Sequence, residues 1–330
     1  MSTNIQGLVD RTYREYLEPM DDLQPYTLLT SSLTDSDTTV SFNGDLLTQE
    51  EEDIMEAGSI IEIGQELMLC KTLSTTLDTV DVVRGVRGTT ASAHSSGATI
   101  KIAPPFPRKN VFDAVCDQIK NLYPTLFAVE TKSVSAKVGY IPLSGTSDNY
   151  LVAPISAISQ MTDFSAGSDE TGIIYQGVAV ELVDLPNPFT YTDADGNSQT
   201  ITYTNNGPNK VNALQVYGVS SGHTVFVTFK KKFIEPTAED NTLAEIGLEN
   251  EYEPIIMAGV AAQIIAGRDI PTATADYITD QLSTSTFPVN SAANIRTSLL
   301  RYQNDLIEQA RKDLRARYPE PVALNKITYA

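Results

Sequence analysis

The stretch from Leu77 to Ile102, LDTVDVVRGVRGTTASAHSSGATIKI, constrains this chain more than any other. Thr79, Val80, Val82 and Val83 form a β-branched run, and Thr99, Ile100 and Ile102 partly alternate with polar neighbours, so both ends predict strands. Between them Gly85, Gly88 and Gly97 admit a positive φ without steric penalty. The same loop carries the hydroxyls of Thr89, Thr90, Ser92, Ser95 and Ser96, with Arg84 and Arg87 at one end and His94 at the other. The reading is strand, ordered polar loop, strand. It is not the layout of an enzyme site.

Short strands continue on both sides. Thr27–Leu29, Thr39–Phe42, Ile60–Ile63 and the run from Glu66 join the two above. From Ile60 to Ile102 alone, four or five strands in about forty-five residues leave edges that a small curved barrel or sandwich removes. The acidic run Gln49–Asp53 reads as a solvated turn. Pro104, Pro105 and Pro107 stiffen a joint, and Asn110 is the expected cap of a helix with Val111, Phe112, Val115, Ile119 and Leu122 on its apolar face. Tyr123–Pro124 ends that helix.

From Phe127 to Phe233 the pattern stays β. The spacing of apolar runs and turn clusters suits a sandwich of jelly-roll type. Asp193–Ala194–Asp195–Gly196–Asn197 resembles a calcium loop, but its flanks are strand-like and it lacks the glutamate that such a loop needs. Asp195–Gly196 is therefore read as a hairpin turn. A sandwich of this size also suits carbohydrate, for which an exposed aromatic row would be expected.

Helices are expected at both ends. Ile5, Leu8, Val9, Thr12, Tyr13, Tyr16 and Leu17 recur at helical spacing within Thr3–Leu17. Such a helix either packs on its own domain or docks on a neighbour. Pro254 begins a fresh helix or kinks an existing one, and from there on the helix is so poor in charge that it must be buried, with Gly259 allowing close approach and Gly267 as its C-cap. A polar linker over residues 267–290 precedes the longest helix, capped by Ser291 and running to about Arg317. Its stripe is Ile295, Leu299, Tyr302, Leu306, Ala310 and Leu314. From Ser291 onward there are seven Lys or Arg against four Asp or Glu, a mildly basic end in a chain of net charge -19.

That net charge argues against a non-specific nucleic-acid binder, which needs cations to displace counterions. The two cysteines, Cys70 and Cys116, fall on apolar faces and read as buried free thiols, too few for a disulfide framework or a cysteine zinc site. The N-terminus lacks the apolar core of a signal peptide, and no apolar run is long enough to span a membrane. His94 and His223 have no neighbour at metal-ligand or Ser–His spacing, and no phosphate loop, H-E-x-x-H or G-x-S-x-G occurs. No enzyme activity, cofactor or metal is expected.

The run RGVRGTTASAHSSGATI resembles a segment of structural proteins of tailed-bacteriophage virions, loosely V-x-RG-x-x-GT-x-A-x-x-H-x-x-G, matched here by Arg84, Gly85, Gly88, Thr89, Ala91, His94 and Gly97. A proline-rich joint and a short helix ending at Leu122–Tyr123–Pro124 follow it, as the resemblance leads one to expect. The similarity spans roughly residues 60–127. It implies a virion protein of the neck or tail, assembled in the host cytoplasm, most simply a head–tail adaptor. Copies would form a closed ring, on the order of six or twelve, against neighbouring portal, adaptor or tail proteins. DNA would pass through without sequence-specific binding, and no membrane would be involved. The alternatives are a tail or baseplate protein, or a carbohydrate-binding host-recognition module. The assembly contacts expected are Arg84, Arg87, Thr89, His94, Tyr302, Arg311 and Arg315. The fold expected is mixed α and β and multidomain. It has an N-terminal helix (1–24), a small β-barrel or sandwich (25–108), a bracing helix (109–126), a jelly-roll-like sandwich (127–235) and a helical C-terminal region with a tail (236–330).

Overall fold

A computed structural model describes residues 4–17, 25–48, 51, 54–74, 78–135, 140–142, 151–163, 172–177, 180–186, 189–192, 198–201, 210–216, 224–266 and 292–318. The architecture is mixed α and β. The chain divides into two compact units: residues 1–118, 237–241 and 252–306, and residues 119–236, 242–251 and 307–330.

The first unit is built on six antiparallel strands, β1 (Tyr26–Leu28), β2 (Thr39–Ser41), β3 (Ile60–Ile63), β4 (Glu66–Ser74), β5 (Thr79–Val83) and β6 (Thr99–Ile102). They lie in the order β1-β6-β3-β4-β5-β2. Alternation sends Val80 and Val82 of β5, and Ile100 and Ile102 of β6, into one core with Phe42, Ile61, Ile63, Met68 and Cys70. A bulge between Cys70 and Thr72 bends β4 where it leaves that core. The sheet curls until its edges meet at the bridge Leu29–Phe42, flanked by Thr30 N–H to Ser41 O (3.0 Å) and Asn43 N–H to Leu28 O (2.9 Å). The expected closed barrel or sandwich is thus corrected to a curled half-barrel. Its edge strands are three residues each, too short for a continuous seam.

Helices complete this unit. The helix α1 (Ile5–Thr12) is capped by the Asn4 side chain, which accepts from Gly7 N–H at 3.0 Å, and continues as a wider turn over Tyr13–Leu17. All seven expected apolar positions are buried. Helix α2 (Arg108–Leu122) starts before Asn110, which therefore is not its cap. Instead the buried Glu62 carboxylate of β3 accepts from Arg108 N–H at 2.7 Å, a charged partner at the positive end of the helix. Helix α3 (Glu253–Ile265) carries Pro254 in its first turn and is buried around nearly its whole circumference, as its lack of charge requires. It packs on α1, where Arg11 and Glu253 pair.

In helix α4 (Ala292–Arg317), Ile295, Leu299 and Leu314 are buried as expected. Between them the buried position is Gln303, not Tyr302. Gln303 Nε2 donates to Gln118 Oε1 (2.8 Å) and to the Ile255 carbonyl (3.2 Å). A buried amide is tolerated there because both partners are fixed on neighbouring helices. Both cysteines are buried free thiols, and burial pushes the Cys70 thiol up.

Among the described residues the second unit contains nine strands: β7 (Ala128–Ser135), β8 (Tyr140–Pro142), β9 (Leu151–Asp163), β10 (Gly172–Gly177), β11 (Val180–Pro186), β12 (Phe189–Thr192), β13 (Ser198–Ile201), β14 (Lys210–Val216) and β15 (Thr224–Lys231). They form a four-stranded sheet β10-β9-β15-β7, a three-stranded sheet β11-β14-β8 and the hairpin β12-β13. This replaces the expected jelly roll. The thirteen-residue β9 pairs with both β10 and β15, concentrating the pairing in one long strand rather than sharing it between two matched sheets. The hairpin expected around Asp195–Gly196 forms, pairing Phe189 with Ile201 and Thr192 with Ser198. Its loop, residues 193–197, lies outside the described residues, as do His223, Gly267, the linker 267–290, Ser291 and the tail 319–330. The side chains that would decide an aromatic row on this unit also lie outside them.

Gly259 gives a test of the helical packing. A Cβ there would land on Gln118 Oε1 and Gln303 Nε2. Gly→Ala gains up to about 1 kcal/mol of helix propensity, but displacing the buried, paired Gln303 amide costs about 1–3 kcal/mol, and the half-buried Gln118 amide must move with it. Gly259→Ala is expected to lower the urea-unfolding free energy by about 1–3 kcal/mol, and Ala262→Gly, which opens no such clash, by about 1 kcal/mol.

Candidate functional site

The conspicuous loop is organised around a residue outside it. Glu66 opens the apolar strand β4, and its side chain is fully buried. Arg84 Nε donates to Glu66 Oε1 at 2.6 Å and Arg84 Nη2 to Oε2 at 2.7 Å, a two-pronged fork. Gly85 N–H adds 3.1 Å to Oε1, Ser92 N–H 3.1 Å to Oε2, and His94 Nε2 lies 2.9 Å from Oε2. Because the carboxylate only accepts, the imidazole is the donor in that bond. Five donors saturate one carboxylate.

Arg84 is equally engaged. Its Nη1 donates to the Thr34 and Asp37 carbonyls at 2.7 and 2.9 Å, and its Nη2 also to Ser92 O at 2.6 Å. With the two bonds to Glu66, all five guanidinium N–H groups have acceptors. Gly85 adopts φ 61 at this point, and a Cβ there would sit 3.0 Å from the Thr89 carbonyl. Thr89 Oγ1 accepts from Leu67 N–H (3.1 Å) and donates to Val86 O (2.8 Å). His94 pairs through its backbone with Leu33, and Gly97 N–H donates to Leu29 O at 2.7 Å. The loop is thereby pinned from β4 and from residues 29–37 together.

Burial would push the Glu66 carboxyl up. The hydrogen bonds from Arg84, His94 and Ser92 N–H and the Arg84 charge outweigh it and hold the carboxyl below its ordinary value of 4.5. Such a group is a fixed anion. Its lone pairs are occupied, so it has no free position from which to take a substrate proton.

Arg87 differs from its neighbour. It is exposed, sits at φ 54, and makes no ion pair among the described residues. Thr89 and His94 are held inside the lock, whereas Tyr302 is exposed on α4. Arg311 and Arg315 come together in the second unit, where with Lys230, Phe127, Leu314 and Tyr318 they line a groove of about 250 Å3. Lys230 Nζ stands 4.7 Å from the Phe127 ring centroid, and Arg311 Nη1 reaches Glu308 at 3.2 Å. Arg315 makes no ion pair among the described residues. Three cations line this groove, one of them paired with Glu308, and among the described residues no carboxylate is part of its lining.

Glu66 and Lys230 were missed in the sequence. A carboxylate leading an apolar strand, with an Arg-Gly pair nearby and a glycine-rich loop between strands, was the available signal for Glu66. Lys230 had none, since it is one of three consecutive lysines that close the β pattern. Among the described residues no group of acidic, Cys or His side chains could hold a metal ion, and no helix is long and apolar enough to cross a membrane.

Removing one partner of a buried, hydrogen-bonded ion pair strands the other, at about 3–5 kcal/mol. Arg84→Ala is expected to lower the unfolding free energy by that amount, while Arg87→Ala stays within about 0.5 kcal/mol, both read from urea titration of the full chain. The Glu66 contribution follows pH with a fixed sign. A lowered folded-state value means that it is fully present above 4.5 and is lost as pH falls through the folded value. Melting temperatures between pH 7 and 3 are expected to fall less steeply in Glu66→Gln, which starts lower, than in the wild type.

No protein-family model matches this sequence, and no curated protein is similar to it.

Proposed function

We propose that this chain is a structural subunit of a tailed-bacteriophage virion, a head–tail adaptor of the neck that works by assembling into a ring around the DNA passage. It carries out no chemistry on a substrate. The observation that carries the reading is the Glu66 lock. Arg84, Thr89 and His94, the side chains that mark the resemblance, all serve to fix the shape of the loop. A segment whose polar groups hold a surface in place suits a protein whose task is fit between subunits.

The charges agree with this division of labour. Arg84 acts within the subunit and gives the loop its rigidity, leaving Arg87 exposed at the tip as the group available to a neighbour. The net charge of -19 suits a passage that DNA slides through without being gripped. On this reading the two sheet-bearing units, finer details of barrel and sandwich aside, are scaffolds for contact surfaces.

The test has two arms. Sedimentation of the purified chain, with electron microscopy of particles carrying a tagged copy, is expected to give a ring or a monomer located at the neck. A trimer at the tail tip or on fibres overturns the adaptor reading in favour of host-surface binding, and absence of the tag from particles overturns the virion reading altogether.

A further inference from the structure

Arg87 is held in a conformation from which its own chain gains nothing. It lies at φ 54, ψ 35, in the left-handed region, between Gly85 at φ 61 and Gly88 at φ 82. The turn is imposed from beneath: Glu66 accepts from Gly85 N–H, and Thr89 Oγ1 donates to Val86 O. Glycine follows such a turn without penalty, whereas any Cβ crowds the following carbonyl oxygen. Among the described residues two other non-glycine positions have a positive φ, Asp78 and Ala103. Aspartate is one of the residue types that visit this region, and Ala103 is tied there by its N–H to the Ile60 carbonyl at 2.8 Å. The Arg87 guanidinium offsets nothing in this way. It is exposed and makes no hydrogen bond or ion pair among the described residues.

A side chain kept at a strained position without a partner in its own chain points to a partner outside it. The guanidinium presents its donors as a planar fork that matches a carboxylate or a phosphate. Duplex phosphate is the poorer match, because a chain of net charge -19 repels DNA and one arginine displaces few counterions. Carboxylates are abundant on a second copy, which carries 42 Asp and Glu against 23 Lys and Arg. The same segment also presents apolar surface, since Val83 at the end of β5 is 37% exposed. The lock fixes the tip before any contact is made, so little ordering entropy opposes binding. We propose that Arg87 anchors a contact between copies, its guanidinium forked onto a carboxylate of the next subunit. This names the partner group for the assembly reading above and rests on that reading.

The experiment is sedimentation velocity of the full chain over a concentration series, with urea titration of each variant. R87A and R87G are each expected to weaken self-association at least about tenfold, and R87E more, because like charges then face each other. R87G is the diagnostic variant. Its urea midpoint is expected at or above that of the wild type, since glycine relieves the turn, while its association is lost. A midpoint below the wild type means that the side chain serves its own loop, and overturns the proposal. R87K keeps the charge without the fork and is expected to fall between wild type and R87A. Mixed with isotopically heavy wild type and treated with a water-soluble carbodiimide, R87K is expected to join its new amine to an Asp or Glu of the heavy copy. Association of R87K without that cross-link overturns the carboxylate as the partner group. If the wild type associates and no Arg87 variant changes the constant, or if the variants lower only binding to duplex DNA, the contact is overturned while the assembly reading stands. If the wild type stays monomeric at every concentration, the contact is overturned, and the position of the tagged copy in particles decides the assembly reading separately.

Discussion

A single buried carboxylate sets the shape of the loop that most distinguishes this chain. Moving an unpaired carboxylate into a protein interior is prohibitive, so Glu66 at the head of an apolar strand is tenable only with its partners in place. Arg84 supplies the fork, and the N–H groups of Gly85 and Ser92 and the ring of His94 fill the remaining directions. The glycines follow from this. Gly85 must turn at φ 61 directly after Arg84, with the Thr89 carbonyl 3.0 Å from where a side chain would begin. The spacing of arginine, glycine, threonine and histidine is thus the trace left in sequence by one saturated anion.

The same solution recurs wherever the first unit joins distant segments. Arg108, at the start of α2, donates to Glu239 through Nε and Nη2 and to Asp10 through Nη1. Burial disfavours the Arg108 charge, but Glu239 first and Asp10 second outweigh it and raise its pKa further. Arg11 does likewise with Glu253 across the α1–α3 contact. Such pairs contribute less to net stability than apolar packing does, because desolvation offsets their attraction. Their effect is to make any other pairing of segments leave a buried charge alone. The exposed ion pairs of Arg317 with Glu249 and Glu251 carry no such penalty and contribute little.

The second unit uses charge differently. Lys231 pairs with Glu130 on the neighbouring strand, and Arg311, which lines a groove with Lys230 and Arg315, pairs with Glu308. Cations gathered on one surface repel one another, and aromatic faces relieve only part of that through the ring quadrupole. Glu308, paired with Arg311, supplies part of the remaining relief.

Much of this was legible in the sequence. Periodicity placed every buried position of α1, the charge-poor α3 had to lie in the interior, and α4 ends at Arg317 as its stripe indicated. Alternation of apolar residues located the strands of the first sheet, and both cysteines are buried thiols. These features depend on near neighbours in the chain, and a side chain's face is fixed by its number along a helix or strand. What only the tertiary structure decided depends on residues far apart. That Arg84 meets Glu66, eighteen positions away, follows only from β4 lying beside the loop, and nothing near Asn110 announces that Glu62 would satisfy the start of α2 in its place. Gln303 rather than Tyr302 turns inward because Gln118 and Ile255 meet it there. Three consecutive lysines conceal which one lines the groove with Arg311 and Arg315. The hydrophobic pattern is written locally and fixes which residues are inside. The pairing of buried polar groups is set by which strands and helices come to lie side by side, and that is known only once they have.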